Sequence, residues 1–365
     1  MTDTAILIEI PPVYCPIPAA IHPAARRLEE RGLLWMRRYG FCADETLSAM
    51  VAGSNSGEAM ALVLPHADED RLQLFTDWCY LGFLMDDLMY RMGDGGGAGF
   101  APLAGRLLRT LENPRAGLLG DDTFAAAIVD VADRLQRLLT PVQHRRWTDL
   151  TRRWFLGTIW EKAVAKAGTP LTLNEYAALR MDSCAGPLWF GLCEFARAAE
   201  ISDREMDAPP VRALNELCWL LVGWDNDLFS DAKERWLAER AEVAVDHAPT
   251  LVSVLAAEES LEPAEALRRA ATVRDHLMSL FVRLRAQVLP SASPELRAYL
   301  GEAGHMIRGN LDYYLRPRTT RYSDPDGRSP GALRFTGGFV DSPPGGVEEP
   351  LPLPSIAWWW EQLTG

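Results

Sequence analysis

Histidine and cysteine are both scarce in this chain, six of each in 365 residues, and neither occurs at a metal-ligand spacing. There is no Cys-x-x-Cys pair, and Cys15, Cys42, Cys79, Cys184, Cys193 and Cys218 mostly sit among apolar neighbours. They read as reduced core thiols, as expected of a cytoplasmic protein. Positive charge is also short: 37 Lys and Arg face 50 Asp and Glu, for a net charge of −13. No basic block interleaves with aromatics, which excludes nucleic acid as the expected partner. Apolar runs are too short to span a bilayer, and the N-terminus has no basic stretch leading into a hydrophobic core, so neither a membrane span nor a signal peptide is expected. No Ser/His/Asp or Cys/His nucleophile and no repeat of fixed period can be found.

What is present is helical periodicity. Segments rich in Ala, Leu, Arg and Glu at 124–139, 147–167, 214–238 and 263–288 carry the apolar spacing of helices, and strand-like alternation is scarce. The length would allow two domains, but no internal boundary is legible, so a single all-α bundle is expected over residues 1–322. Thr172 followed by Glu175 predicts a capped helix start, and Gly186-Pro187 predicts a break. The 323–365 tail is rich in Gly, Pro and Asp up to residue 350 and is expected to be partly flexible. It ends in the strongly apolar Ile356-Ala-Trp-Trp-Trp360, which would dock on the body or on a partner.

Two polar sites interrupt apolar helices. Asn226, Ser230 and Glu234 are spaced by four, and at about 100° per residue each step drifts only about 40°, so the three share one helix face. An amide oxygen, a hydroxyl and a carboxylate are hard donors that suit Mg²⁺ better than zinc. Upstream, the apolar run 72–89 presents Asp86 and Asp87 side by side, an expensive arrangement unless cations or hydrogen bonds compensate it. Each feature alone also fits a plain polar helix face or a solvated helix end.

Together these residues resemble class I terpene synthases. Asn226, Ser230 and Glu234 are similar to that family's Asn/Ser/Glu metal motif, and Asp86-Asp87 to the start of its aspartate-rich motif. Arg180 matches the diphosphate-sensing arginine, Lys233 a diphosphate-binding lysine, and Arg321-Tyr322 the paired Arg-Tyr near the end of the catalytic domain. The five landmarks fall in the family's order across roughly residues 10 to 322. The resemblance implies an α-helical bundle around a deep cavity, with three Mg²⁺ ions, or Mn²⁺, held by Asp86, Asp87, Asn226, Ser230 and Glu234. One departure stands out: Met89 and Tyr90 occupy the positions of a third acid, which leaves Asp94 as a candidate.

The implied activity is ionisation of a linear prenyl diphosphate, followed by cyclisation of the carbocation. Phe83, three residues before Asp86, and Trp189, just past the Gly-Pro break, are the aromatics expected to face the cation; Phe75, Trp78, Phe190, Trp219 and Tyr314 are further candidates. Ser183 and Cys184 mark where the family directs a main-chain carbonyl at the cation. Farnesyl diphosphate, with fifteen carbons, is the expected substrate and a sesquiterpene the product. A twenty-carbon substrate is the nearest alternative and a ten-carbon one the third. Prenyl chain elongation, which resembles a pair of aspartate-rich motifs, and a non-catalytic prenyl diphosphate binder are the other classes. A homodimer is compatible with this reading.

Overall fold

The structure is a computed structural model and describes residues 5–91, 96–120, 122–197, 199–240 and 248–363. Helices dominate. They run α1 (Ala25–Arg38), α2 (Glu45–Ser54), α3 (Ser56–Val63), α4 (Glu69–Arg91), α5 (Gly96–Glu112), α6 (Thr123–Leu138), α7 (Pro141–Ala167), α8 (Leu173–Ser183), α9 (Gly186–Phe195), α10 (Asp203–Met206), α11 (Pro209–Arg240), α12 (Leu251–Glu259), α13 (Pro263–Val288) and α14 (Pro294–Tyr314). One large apolar cluster joins side chains from nearly all of them. Among the described residues no helix is long and apolar enough to cross a membrane.

The local signals act as the sequence predicts. Thr172 Oγ1 accepts from the Glu175 amide while the Glu175 carboxylate accepts from the Thr172 amide, a reciprocal cap that satisfies two orphan donors of α8. The chain then breaks at Ala185, whose φ of 59° is left-handed, before α9 begins at Gly186 with Pro187 in its first turn. The break packs tightly because two neighbours have no side chain. A Cβ on Gly157 of α7 would lie 2.5 Å from the Ser183 amide nitrogen, and one on Gly186 would lie 2.8 Å from Trp219 Cα of α11. The helix expected from residue 147 begins earlier, at Pro141, capped by Thr140 with Gln143.

The segment after Tyr322 differs from the loop expected there. It carries strands β3 (Leu333–Thr336) and β4 (Phe339–Val340), which pair in parallel with β1 (Ile6–Glu9) and β2 (Val13–Tyr14) near the N-terminus. It then runs along α13 and ends in a short 3-10 helix, Ala357–Gln362, whose Trp359 and Trp360 are buried against the body. Scattered apolar residues explain the order, since Leu333, Val347, Leu351, Leu353 and Ile356 all find buried seats.

Candidate active site

A deep cavity of about 170 Å³ opens between α4, α7, α8, α9, α11 and α14. Its wall combines apolar and aromatic side chains, among them Phe75, Trp78, Trp154, Leu188, Trp189 and Leu192, with the polar Asp86, Arg180, Asn226, Ser230, Glu234 and Arg321. Such a combination suits a ligand with a hydrocarbon body and a charged head.

Four-residue spacing on α11 puts Asn226, Ser230 and Glu234 on that wall as expected. Asn226 is held on both sides of its amide: Oδ1 accepts from Arg180 Nη2 at 2.8 Å, and Nδ2 donates to the hydroxyls of Tyr322 at 3.0 Å and Tyr314 at 3.2 Å. Burial raises the Glu234 carboxyl above its ordinary range, and Asp86 and Asp87 add to this against the opposing pull of Lys233 and Arg321. Hard oxygen donors facing one cavity, in surplus negative charge, fit a divalent cation. No three His, Cys, Asp or Glu side chains among the described residues form a metal-holding group, so the fitting donor set is the mixed one.

The first acidic pair divides its roles. Asp86 lines the main cavity, whereas Asp87 and Lys233 turn into a small adjoining pocket beside Arg321. Burial and Asp87 push Asp86 up against the pull of Arg321, while Asp87 lies low because Arg321 and Lys233 outweigh its burial. Asp94 lies outside the described residues.

Arg180 is buried among acids. Its Nη2 lies 2.8 Å from Asp227 Oδ1, and its Nη1 is 3.4 Å from Glu161 Oε1. Burial opposes its charge, but Asp227, Tyr176 and Glu161 outweigh it and keep the guanidinium protonated. Its Nε is buried without a partner among the described residues. Asp227 in turn accepts from the Tyr176 hydroxyl at 2.5 Å and from the Leu251 amide at the start of α12. Glu161 accepts from Ser183 at 2.6 Å, tying α7 to the helix break.

Phe83 and Trp189 both line the cavity, their ring centroids 6.4 Å apart. The Phe83 ring also stacks on Tyr313 at 6.1 Å and lies 4.7 Å under the Arg321 guanidinium. Trp78, Phe75 and Tyr314 join them on the wall; Phe190 and Trp219 do not, being packed elsewhere. Sequence reasoning missed Glu161 and Tyr176, for which no motif gives a signal, and did not use Asp227, although it sits inside the motif.

The description "Terpene synthase family 2, C-terminal metal binding" matches residues 77–279. The chain is 37% identical over 360 residues to phomopsene synthase of Allokutzneria albata, covering 98% of both chains. It is 36% identical to the diterpene cyclase DtcycA of a Streptomyces species, with all of both chains covered. It is also 30% identical to the (2E,6E)-farnesyl diphosphate cyclizing (+)-T-muurolol synthase of Streptomyces clavuligerus, over 95% of this chain and 81% of that one. Among solved structures, the SVS_A2 protein from ancestral sequence reconstruction superimposes with a TM-score of 0.78 at 35% identity, over 96% of this chain and 99% of that one.

Proposed function

Because this chain belongs to the bacterial class I terpene synthase family, whose members are lyases acting on prenyl diphosphates, we propose that it ionises a linear twenty-carbon prenyl diphosphate in a Mg²⁺-dependent step and cyclises the resulting cation. The observation that carries this reading is the cavity itself, which is lined by three hard oxygen donors of α11, by Asp86 of α4 and by a set of aromatic rings. Asn226, Ser230, Glu234 and Asp86 would hold the divalent ions, three in number by family resemblance. When bound, these ions supply Lewis-acid stabilisation of the charge that develops on the departing diphosphate.

The chain's own residues do the rest. Arg180 and Arg321 present guanidinium forks that can grip diphosphate oxygens through two N–H groups; Tyr322 adds a hydroxyl on the cavity wall, and Lys233 adds its charge from the adjoining pocket. The allylic C–O bond breaks with its electron pair going to the diphosphate oxygen. The hydrocarbon cation then lies among Phe83, Trp189, Trp78 and Phe75, whose faces attract positive charge by roughly 0.5–2 kcal/mol each and whose packing excludes water. Ring closures occur inside that contour, and the last cation loses a C–H proton to the released diphosphate, the C–H electron pair becoming the alkene bond.

Sequence reasoning alone favours fifteen carbons. The full-length likeness to a diterpene cyclase supports twenty, and the weaker likeness to a farnesyl-cyclizing enzyme keeps fifteen as the second reading. Incubation with Mg²⁺ and, separately, ten-, fifteen- and twenty-carbon diphosphates, followed by hydrocarbon analysis, decides between them. Glu234→Gln, which removes one charge and keeps the shape, is expected to abolish product at limiting Mg²⁺. Product within a fewfold of wild type would refute the metal assignment.

A further inference from the structure

The C-terminal segment touches α11, the metal-motif helix, at two distant points. Leu333 of β3 packs with Ala232 and Trp236, and Phe335 lies against the same cluster. Far along the helix, Trp359 donates to Glu216 at 2.8 Å, and the Arg212 guanidinium lies 5.6 Å over Trp358. Residues 333–363 therefore brace α11 from outside, and they fall beyond the stretch that carries the family match.

From β3 a run of ring contacts leads inward to the metal motif. The Phe335 ring lies 5.7 Å from Phe229, and Phe229 stacks on Tyr314 at 4.5 Å with an interplanar angle of 17°. The Tyr314 hydroxyl gives its proton to Asn310 Oδ1 at 3.1 Å, so its oxygen is left to accept from Asn226 Nδ2 at 3.2 Å. That direction matters. An asparagine amide turned by half a circle presents NH₂ where its oxygen was, and an NH₂ group is no metal ligand.

We propose that Phe335 is a positioning residue for the metal motif: by backing the Phe229–Tyr314 stack, it keeps the Asn226 amide turned with its nitrogen to Tyr314 and its oxygen to Arg180 and the cavity. This rests on the functional reading above. Phe335 is only half-buried and packs on the edge of the main core, so shortening it removes a wall from behind the stack. Tyr314 then has room to move away from Asn226.

The test compares wild type, Phe335→Ala and Phe335→Leu by calorimetric titration of Mg²⁺ in the presence of inorganic pyrophosphate, well below the melting temperature, and by the Mg²⁺ dependence of turnover. Phe335→Ala is expected to weaken Mg²⁺-dependent binding by about three- to tenfold, less than the roughly 10–100-fold typical when a group bonded directly to a ligand is lost. Half-saturating Mg²⁺ should rise in step while kcat at saturating Mg²⁺ is largely retained, and Phe335→Leu should recover most of the loss. A lowered melting temperature with unchanged Mg²⁺ saturation would overturn the proposal, because it would make Phe335 a packing residue only. If Phe335→Ala does not fold, Phe335→Val set against Phe335→Leu gives the same comparison. Wild type that neither binds pyrophosphate with Mg²⁺ nor releases diphosphate from any prenyl substrate would overturn the functional reading itself, whereas wild-type binding with unaltered variants would overturn the role of Phe335 alone.

Discussion

Arg321 Nη2 sits 2.8 Å from a carboxylate oxygen of Asp86 and 2.8 Å from one of Asp87, so one guanidinium grips both acids of the first motif. Lys233 adds a contact to Asp87 at 3.3 Å. The side chain of Asp86 is 46% exposed and that of Asp87 only 14%, which gives the two acids different freedom to turn toward a metal.

The Asn variants of these two acids should therefore fail in different ways. Asp86→Asn is expected to cut turnover on the order of 10²–10³-fold, as the loss of one electrostatic group in an active site commonly does, with little change in melting temperature. Asp87→Asn strips a carboxylate from two buried cations and is expected to cost about 3–5 kcal/mol of stability as well. Thermal melts beside steady-state rates distinguish them; equal melts and equal rates would erase the division of roles.

On the proposed reading, ionisation and cyclisation draw on different residues, so they should separate in mutants of the aromatic wall. Phe83→Leu and Trp189→Leu are expected to keep diphosphate release measurable while shifting products toward acyclic or early-quenched hydrocarbons. A cation–π contact of roughly 0.5–2 kcal/mol alters branch ratios by about two- to thirtyfold. Gas-chromatographic product profiles check this, and identical profiles would reassign both rings to packing.

Gly82 lines the cavity one helical turn from Asp86, and a Cβ added there meets nothing within 4 Å. A glycine in mid-helix costs about 1 kcal/mol relative to alanine, and no neighbour demands it, so the space it leaves is available to substrate. Gly82→Leu should raise the melting temperature and lower turnover of twenty-carbon relative to fifteen-carbon diphosphate by roughly tenfold or more. An unchanged ratio would place the hydrocarbon chain elsewhere.

The Cys184 thiol, at the helix break, is pushed up to about 11 by burial, which outweighs the opposing pull of Arg180. Only about one thiol in a thousand is then ionised at pH 8, and the thiolate is the reactive form. Cys42 and Cys184 are both half-buried, and iodoacetamide at pH 8 is expected to label Cys42 and spare Cys184 until the chain is denatured. Mass spectrometry of digests reads the result.

Features encoded within one or two helical turns were the legible ones. The four-residue spacing of Asn226, Ser230 and Glu234, the Thr172 cap and the Gly-Pro break need only neighbouring residues, and all three appear where the sequence puts them. Glu161 and Tyr176 were not legible, because their roles exist only through contacts made across the bundle: Glu161 meets Ser183 and Arg180, and Tyr176 meets Asp227. The tail's two strands were not legible for a related reason. They are too short to show alternation, and their partners lie at the other end of the chain.

That pairing also orders events in time. Ile6 pairs with Leu333, so the contact closes a loop spanning most of the polypeptide, the slow kind of contact in folding. During synthesis α11 emerges long before β3, and its outer face at Ala232 and Trp236 must wait uncovered. A growing chain can therefore contain all of α11 and still lack the strand that packs against it. Catalytic competence would arrive late, as a property of the finished molecule, and an interrupted chain would be a sticky helical intermediate with its apolar face open to solvent.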